Sequence, residues 1–389
     1  MVSFENTEIA FKHKTTKELK KAYFLFNSIA RPWLVKTGKV FLNLALKLRI
    51  PISWAVKPTI YEHFVGGVTI DDCLPTAKKL DQYNVKSILD YSVEGGESEK
   101  EIEEALRETL ASIENASRHP EIPFAVFKPT AFGKAEILEK ASSGKKLNDD
   151  EQKEADKFRD RIHTLCKRAY ELDIPILIDA EDSFFQNKID EVVTAMMELF
   201  NKKRAIVFNT LQMYRWDRLQ YLKDSYEKAE KGGYYYGVKF VRGAYMEKER
   251  ERAHKKGYKD PIQPDKESTD RDYNAALKFT VEHIDRCELF NGTHNEESSL
   301  YKTKLKKEHK LKKNDPRIYF SQLYGMSDHI SFNLASEGYN VAKYVPYGPV
   351  KHVMPYLIRR AEENTSVKGQ TGRELSLIKK ERERRKKES

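Results

Sequence analysis

Ile174-Pro-Ile-Leu-Ile-Asp179 is a short apolar run that ends in a carboxylate, and Ala205-Ile-Val-Phe-Asn209 repeats the pattern after an intervening segment, Ile189 to Lys202, of helical period. Runs this short and this continuously apolar suit parallel strands buried on both faces. The amphipathic segment between them is long enough to carry the chain back over the sheet, as a parallel pair requires. Working outward, the same texture gives strands at Ser87–Asp90, Phe124–Lys128, Tyr236–Val241, Cys287–Phe290, Ile318–Gln322 and Asn340–Tyr344, which brings the count to eight. Helical segments are expected at Glu99–Arg118, Asp149–Leu172, Arg215–Lys231, Asp272–Arg286 and Asn295–Lys313. Strand and helix in eightfold alternation define an α/β fold of the (β/α)8 barrel type, and residues 85–370 match the length such a barrel needs. Residues 1–84 read as a helical appendage interrupted at Pro32, Pro51 and Pro58, and residues 371–389 as a basic tail.

The 389 residues carry 39% hydrophobic and 11% aromatic side chains, enough to bury a large core and to exclude global disorder. No apolar window is long enough for a spanning helix, so a soluble protein is expected. Cys73, Cys166 and Cys287 are far apart and form no CxxC pair, which points to a reducing compartment and against a thiolate metal site. The charged start MVSFENTEIAFKHKTT lacks a signal core, so a cytoplasmic location is expected. The net charge of +10 is concentrated in Lys302–Lys313 and Lys379–Lys387. Without a helix-turn-helix, zinc finger or RNP motif these runs read as solvated helix faces, and no nucleic-acid partner is expected. The basic amphipathic stretch Lys39–Arg49 suits an internal packing face or a membrane headgroup layer.

In a barrel of this type chemistry gathers where the strands end. Asp90 and Glu94 follow the first strand, Lys128 ends the second, Asp179 and Glu181 end the third, and Gln212 follows the fourth. Lys239 and Arg242 lie in or just beyond the fifth, Thr293, His294 and Asn295 follow the sixth, and Tyr324 and Tyr344 close the last two. A buried Asp179 needs a compensating cation. Arg359 and Arg360 would straddle a small carboxylate, or else form ordinary surface salt bridges. No HExxH or GxSxG occurs, so neither metal catalysis nor serine hydrolysis is expected. Two other classes remain open here: a Schiff-base lyase using Lys128 or Lys239, and a non-enzymatic basic protein that binds membrane or nucleic acid. GxGxxG is absent, so a flavin or nicotinamide would bind in a non-Rossmann manner.

Long composite motifs narrow the choice. Val238-Lys-Phe-Val-Arg-Gly-Ala-Tyr-Met246 and Tyr344-Val-Pro-Tyr-Gly348, followed by Tyr356-Leu-Ile-Arg-Arg-Ala-Glu-Glu-Asn-Thr-Ser366, resemble the proline dehydrogenases, flavoenzymes built on a distorted (β/α)8 TIM-type barrel. Phe127-Lys128, Ile178-Asp-Ala-Glu181, Gln212-Met-Tyr214, Thr293-His-Asn295 and Leu323-Tyr-Gly-Met326 follow in family order.

The resemblance implies FAD as cofactor and L-proline as substrate. Arg359, Arg360 and Lys128 would hold the proline carboxylate, and Tyr245, Leu323 and Tyr344 would cage its ring. Glu94 and Asp179 would pair with the two arginines, with Asp90 and Glu363 behind them. Lys239 and Gln212 would lie against the isoalloxazine, while Ala180, Val241, Arg242, Gly243, Ala244, Thr293 and His294 would contact other parts of the cofactor. Asp179 and Lys239 are the residues assigned to catalysis, and no metal is implied. The implied reaction moves a hydride from proline C5 to flavin N5, yields Δ1-pyrroline-5-carboxylate as the first step of proline catabolism, and sends the electrons to a quinone. A monofunctional enzyme with peripheral contact on the inner face of the cytoplasmic membrane is expected, its product passing to a separate pyrroline-5-carboxylate dehydrogenase. Tyr344 would crowd a 4-hydroxyl, which favours proline over hydroxyproline.

Overall fold

The computed structural model of the chain describes residues 2–47, 56–92, 98–366 and 370–388. Eight strands form a single sheet: β1 (Val85–Tyr91), β2 (Ala125–Phe127), β3 (Ile176–Ile178), β4 (Val207–Gln212), β5 (Tyr236–Val241), β6 (Cys287–Gly292), β7 (Ile318–Leu323) and β8 (Val341–Tyr347). Their order is β1-β8-β7-β6-β5-β4-β3-β2, a nearly closed (β/α)8 barrel with β1 and β2 at the two ends of the ladder. All eight expected strands are present, displaced by at most a few residues. The chain divides into two compact units, Met1–Val93 with Gln322–Ser389, and Glu94–Ser321.

The first unit opens with α1 (Thr7–Phe11), α2 (Thr16–Ile29), α3 (Pro32–Lys47) and α4 (Ile70–Asp81). Thr15 and Glu18 form a capping box at the start of α2, and Thr69 and Asp72 form another at α4, so the orphan amide groups of both first turns are satisfied. Pro32 opens α3, where a missing N–H costs nothing, and Pro58 lies in a π-helical turn, Lys57–Tyr61. Pro51 lies outside the described residues, as do the end of the amphipathic stretch and most of its side chains.

The second unit carries α5 (Glu99–Arg118), α6 (Ala135–Ser142), α7 (Asp149–Glu171), α8 (Ser183–Phe200), α9 (Arg218–Gly232), α10 (Met246–Lys256), α11 (Lys266–Glu282) and α12 (Glu296–Glu308). Ile176, Leu177 and Ile178 are wholly buried, each contributing about 1.5–3 kcal/mol by leaving water. Phe124, Phe208, Phe290 and Tyr319 meet in edge-on and stacked contacts before and within β2, β4, β6 and β7. Asn201 binds the strand entry: its carbonyl accepts from Ile206 and Val207 N–H, and its amide donates to Val207 and Tyr235 carbonyls. The helix expected from Asp272 starts at Lys266, because Asp265 caps it by accepting from Ser268 N–H at 2.7 Å.

The lysine run in α12 departs from expectation. Lys302 and Lys306 are buried, not solvated, on the same helix face as Ser298, Ser299 and Leu305. Their aliphatic stems fill space that an apolar residue would normally occupy.

The chain ends, back in the first unit, with α13 (Asp328–Ser336), α14 (Val350–Ser366) and α15 (Gln370–Glu388). The basic tail is thus a helix. It buries Leu377, Ile378 and Glu381, and Glu381 accepts from both Arg384 and Arg385.

Candidate active site

In the second unit, three residues from the carboxyl ends of three strands converge. Lys128 and Asp179 directly follow β2 and β3, and Lys239 lies in β5 in register with Thr210 of β4 and Phe290 of β6. Lys239 Nζ donates to Asp179 Oδ1 at 2.5 Å, and Lys128 Nζ stands 4.0 Å from Asp179 Oδ2. The Lys239 side chain is 6% exposed and that of Asp179 17%, so this is an ion pair largely withdrawn from water. Asp179 thus has a cation beside it, as a buried carboxylate requires. Buried pairs of this kind fix geometry more reliably than they stabilise a fold.

Two residues beyond, Glu181 accepts from Thr130 N–H at 2.8 Å and from its hydroxyl at 2.7 Å. Burial pushes this carboxyl up to about 7 against those two hydrogen bonds. Sequence reasoning quoted Glu181 but gave it no role. Its position beside Asp179 at a strand end was the available signal.

A second cluster follows β5 and β6. Arg242 donates to Asp270 from Nε at 2.8 Å and to Thr293 Oγ1 at 2.6 Å, and its guanidinium lies 4.3 Å from the centre of the Tyr273 ring. Burial opposes ionisation of Asp270, yet Lys266 and Arg242 hold its carboxyl below the usual range. Gly243 has φ +127°, and an added Cβ would come within 2.4 Å of the Tyr214 ring. The glycine expected to admit a cofactor is thus required by Tyr214 and by its own backbone. Ala244 beside it is exposed, Val241, Tyr245 and His294 are half-buried, and Ala180 stands between Asp179 and Glu181. Gln212 ends β4 instead of following it, and its Oε1 is buried with no hydrogen-bond partner among the described residues.

The first unit holds the remaining candidates. Asp90 is buried in β1 and accepts from Ser92 Oγ at 3.3 Å. Leu323 ends β7, whereas Tyr344 lies in the middle of β8, in register with Ile88, and does not close it. Arg360 is buried on α14 beneath the Tyr356 ring, and Arg359 is half-buried. Glu94 and the side chain of Glu363 lie outside the described residues.

The family model described as proline dehydrogenase matches residues 73–373. Proline dehydrogenase 1 of Dictyostelium discoideum is 30% identical over 98% of this chain and 74% of its own length. The carbapenem biosynthesis protein CarD of Pectobacterium carotovorum is 34% identical, covering 83% of each chain. A hydroxyproline dehydrogenase of Xenopus laevis is 31% identical over 96% of this chain and 88% of that protein. Among solved structures, proline utilization A of Bdellovibrio bacteriovorus, inactivated by N-propargylglycine, superposes with a TM-score of 0.72 at 21% identity. That match covers 94% of this chain and 38% of the larger protein.

Proposed function

The chain belongs to the proline dehydrogenase family, oxidoreductases acting on CH–NH donors, and from that premise we propose that it oxidises L-proline with the help of FAD. The observation that carries this reading is the strand-end cluster of Lys128, Asp179 and Lys239, accompanied by the unpartnered Gln212 Oε1. Bound FAD would supply the acceptor for the hydride leaving proline C5, with a quinone as the outlet for the electrons. The nitrogen lone pair closes the C=N bond as the hydride leaves, so the amine must first lose its proton, and Δ1-pyrroline-5-carboxylate results.

The residues fit such a cofactor. A flavin edge brings both donors and acceptors, and Gln212 offers an amide whose oxygen is unclaimed. Lys239 brings a cation where charge accumulates, and Asp179 fixes its amine. Arg242, Thr293 and His294, with the backbone at Val241–Ala244 and at Ala180, would hold the rest of the cofactor. Arg359, Arg360 and Lys128 would grip the substrate carboxylate, for which paired guanidinium forks are well shaped. Glu94, Asp90 and Glu363 would keep those cations in place. Tyr245, Leu323 and Tyr344 would exclude water from the ring and set its face, with Tyr344 occupying the space a 4-hydroxyl would need.

Delivery to a quinone fits an approach to a bilayer. Phe24, Trp33 and Val40 are exposed on α2 and α3, next to exposed Lys17, Lys20, Lys21 and Lys36. Apolar tips ringed by lysines match an anionic lipid surface. Among the described residues no helix is long and apolar enough to cross a membrane. The product would leave for a separate pyrroline-5-carboxylate dehydrogenase.

The test is an anaerobic visible spectrum of the FAD-loaded protein. Bleaching of the flavin bands by L-proline, and a much weaker response to 4-hydroxyproline, are the expected results. A protein that never retains FAD, or whose bound flavin is indifferent to proline, would overturn the reading.

A further inference from the structure

The first unit contains a buried ion cluster to which no role has been assigned above. Asp328, the first residue of α13, is 3% exposed, and Lys343 in β8 is wholly buried. Asp328 Oδ1 lies 2.9 Å from Lys343 Nζ, and its Oδ2 lies 2.9 Å from Lys14 Nζ and 3.3 Å from His13 Nε2. The His13 ring stacks on Phe332 with centroids 3.9 Å apart. One carboxylate thus gathers three groups from two distant parts of the sequence.

The loop these charges enclose is Leu323–Ser327, and its backbone is held at nearly every residue. Lys343 Nζ donates to Met326 O at 2.5 Å and reaches Leu323 O at 3.4 Å. Tyr324 N–H donates to Tyr344 O at 2.7 Å, and the His63 ring bonds Gly325 O at 2.8 Å. Ser327 N–H donates to Glu374 Oε2 at 3.0 Å, although Ser327 itself adopts φ +51°. Gly325 has φ +77°, and a Cβ there would meet His63 O at 2.3 Å. A conformation this unusual persists only when its surroundings over-determine it. Here they include the buried Lys343 and Glu374 side chains and the His63 ring.

Leu323 begins this loop, and Tyr344 is the residue next to Lys343. We infer that Asp328, Lys343 and Lys14 are positioning residues that set Leu323 and Tyr344, and through them the substrate ring, without contacting the substrate; the inference rests on the reading of those two side chains as the ring cage. All three Lys343 protons have acceptors in this arrangement, so the amine acts as a three-way brace between α13, the loop and β8. In the low-dielectric interior such a brace is stiff. Lys14 extends it to the N-terminal segment, which gives residues before the barrel a part in substrate fit.

The test uses the FAD-loaded full chain with two variants, Lys14→Met and the charge-neutral double Asp328→Asn with Lys343→Met. The double variant leaves the net charge of the chain unchanged, although Lys14 loses its carboxylate with Asp328. In Lys14→Met we expect KM for proline to rise by about 10-fold to 100-fold, as misplacement by about 1 Å typically costs, with kcat within about threefold. Flavin content and the inhibition constant of propionate, a ringless carboxylate that needs only the arginine grip, should not change, and Lys14→Arg should restore KM. An unchanged KM in both folded variants would overturn the inference. So would proline KM and propionate inhibition weakening in parallel, which would mean general loosening. A wild type that fails to oxidise proline removes the functional reading instead. The positioning claim is then decided by hydrogen exchange at residues 323–327, which must accelerate in Lys14→Met and must not if the brace is idle.

Discussion

Two buried lysines of the second unit sit in opposite electrostatic circumstances. Lys239 in β5 has a carboxylate 2.5 Å away, held just past β3, with β4 lying between the two strands. Lys302 in α12 has, among the described residues, the Tyr319 carbonyl at 2.6 Å and the Phe320 ring at 3.6 Å. Burial, reinforced by nearby Lys306, pushes the Lys302 amine well below its usual range, and burial lowers Lys306 to about 8. One lysine faces a carboxylate across a short ion pair. The other has its charged form disfavoured by burial and packs as a long apolar stem with a polar tip. Burial of a lysine is thus no sign of function on its own, and the counter-charge at the strand end marks the difference.

The sharpest way to break this contrast is to remove the counter-charge. Asp179→Ala takes the carboxylate away from a buried lysine, a loss of about 3–5 kcal/mol for such pairs. If most of it falls on the transition state, kcat/KM for proline drops by about 10² to 10³, read from steady-state kinetics. A drop of less than about tenfold would mean that the pair is structural, like Lys302. Next in size, Arg360→Met should raise KM for proline by about 100-fold while leaving flavin content intact, because a bidentate carboxylate contact is lost. An unchanged KM would take the arginine out of the site.

Glu181 sharpens the contrast from the acidic side. Its folded carboxyl is raised from 4.5 to about 7, so the stability it contributes is present below about pH 4.5 and lost as pH rises through about 7. Glu181→Gln should flatten the fall of Tm between pH 5 and 8, as measured by thermal melts. A parallel curve for the variant would show that the carboxyl does not titrate there. The smallest effect is expected at Lys302. Lys302→Met should leave activity within about twofold and Tm unchanged or raised, since an apolar side chain of similar volume replaces a desolvated amine. Loss of activity in that variant would erase the distinction drawn between the two lysines.

These residues also show what could be read from sequence. β3, with its run Ile-Leu-Ile followed by Asp179, was legible because an all-apolar strand and a terminal charge obey different demands. Lys128, Asp179 and Lys239 were found by position on the barrel, but their pairing was not, because which cation meets a carboxylate depends on strand register. The inward face of α12 was misread: Lys302 and Lys306 lie among lysines of identical appearance, and only packing separates them. The Asp328 cluster was invisible for a similar reason. Its members are more than 300 positions apart in sequence, from Lys14 to Lys343, and none lies in a recognisable motif. At Gly243 the Tyr214 ring also demands a glycine, a constraint that was not deducible from the chain alone.

The claim on which the account rests is that Asp179 and Lys239 act as one catalytic unit. A double-mutant cycle on proline oxidation, with Asp179→Asn, Lys239→Met and both together, measures this directly. The double variant should be no slower than the worse single variant to within about threefold, because either change already disables the pair. Losses that simply multiply would show two independent groups and contradict the account.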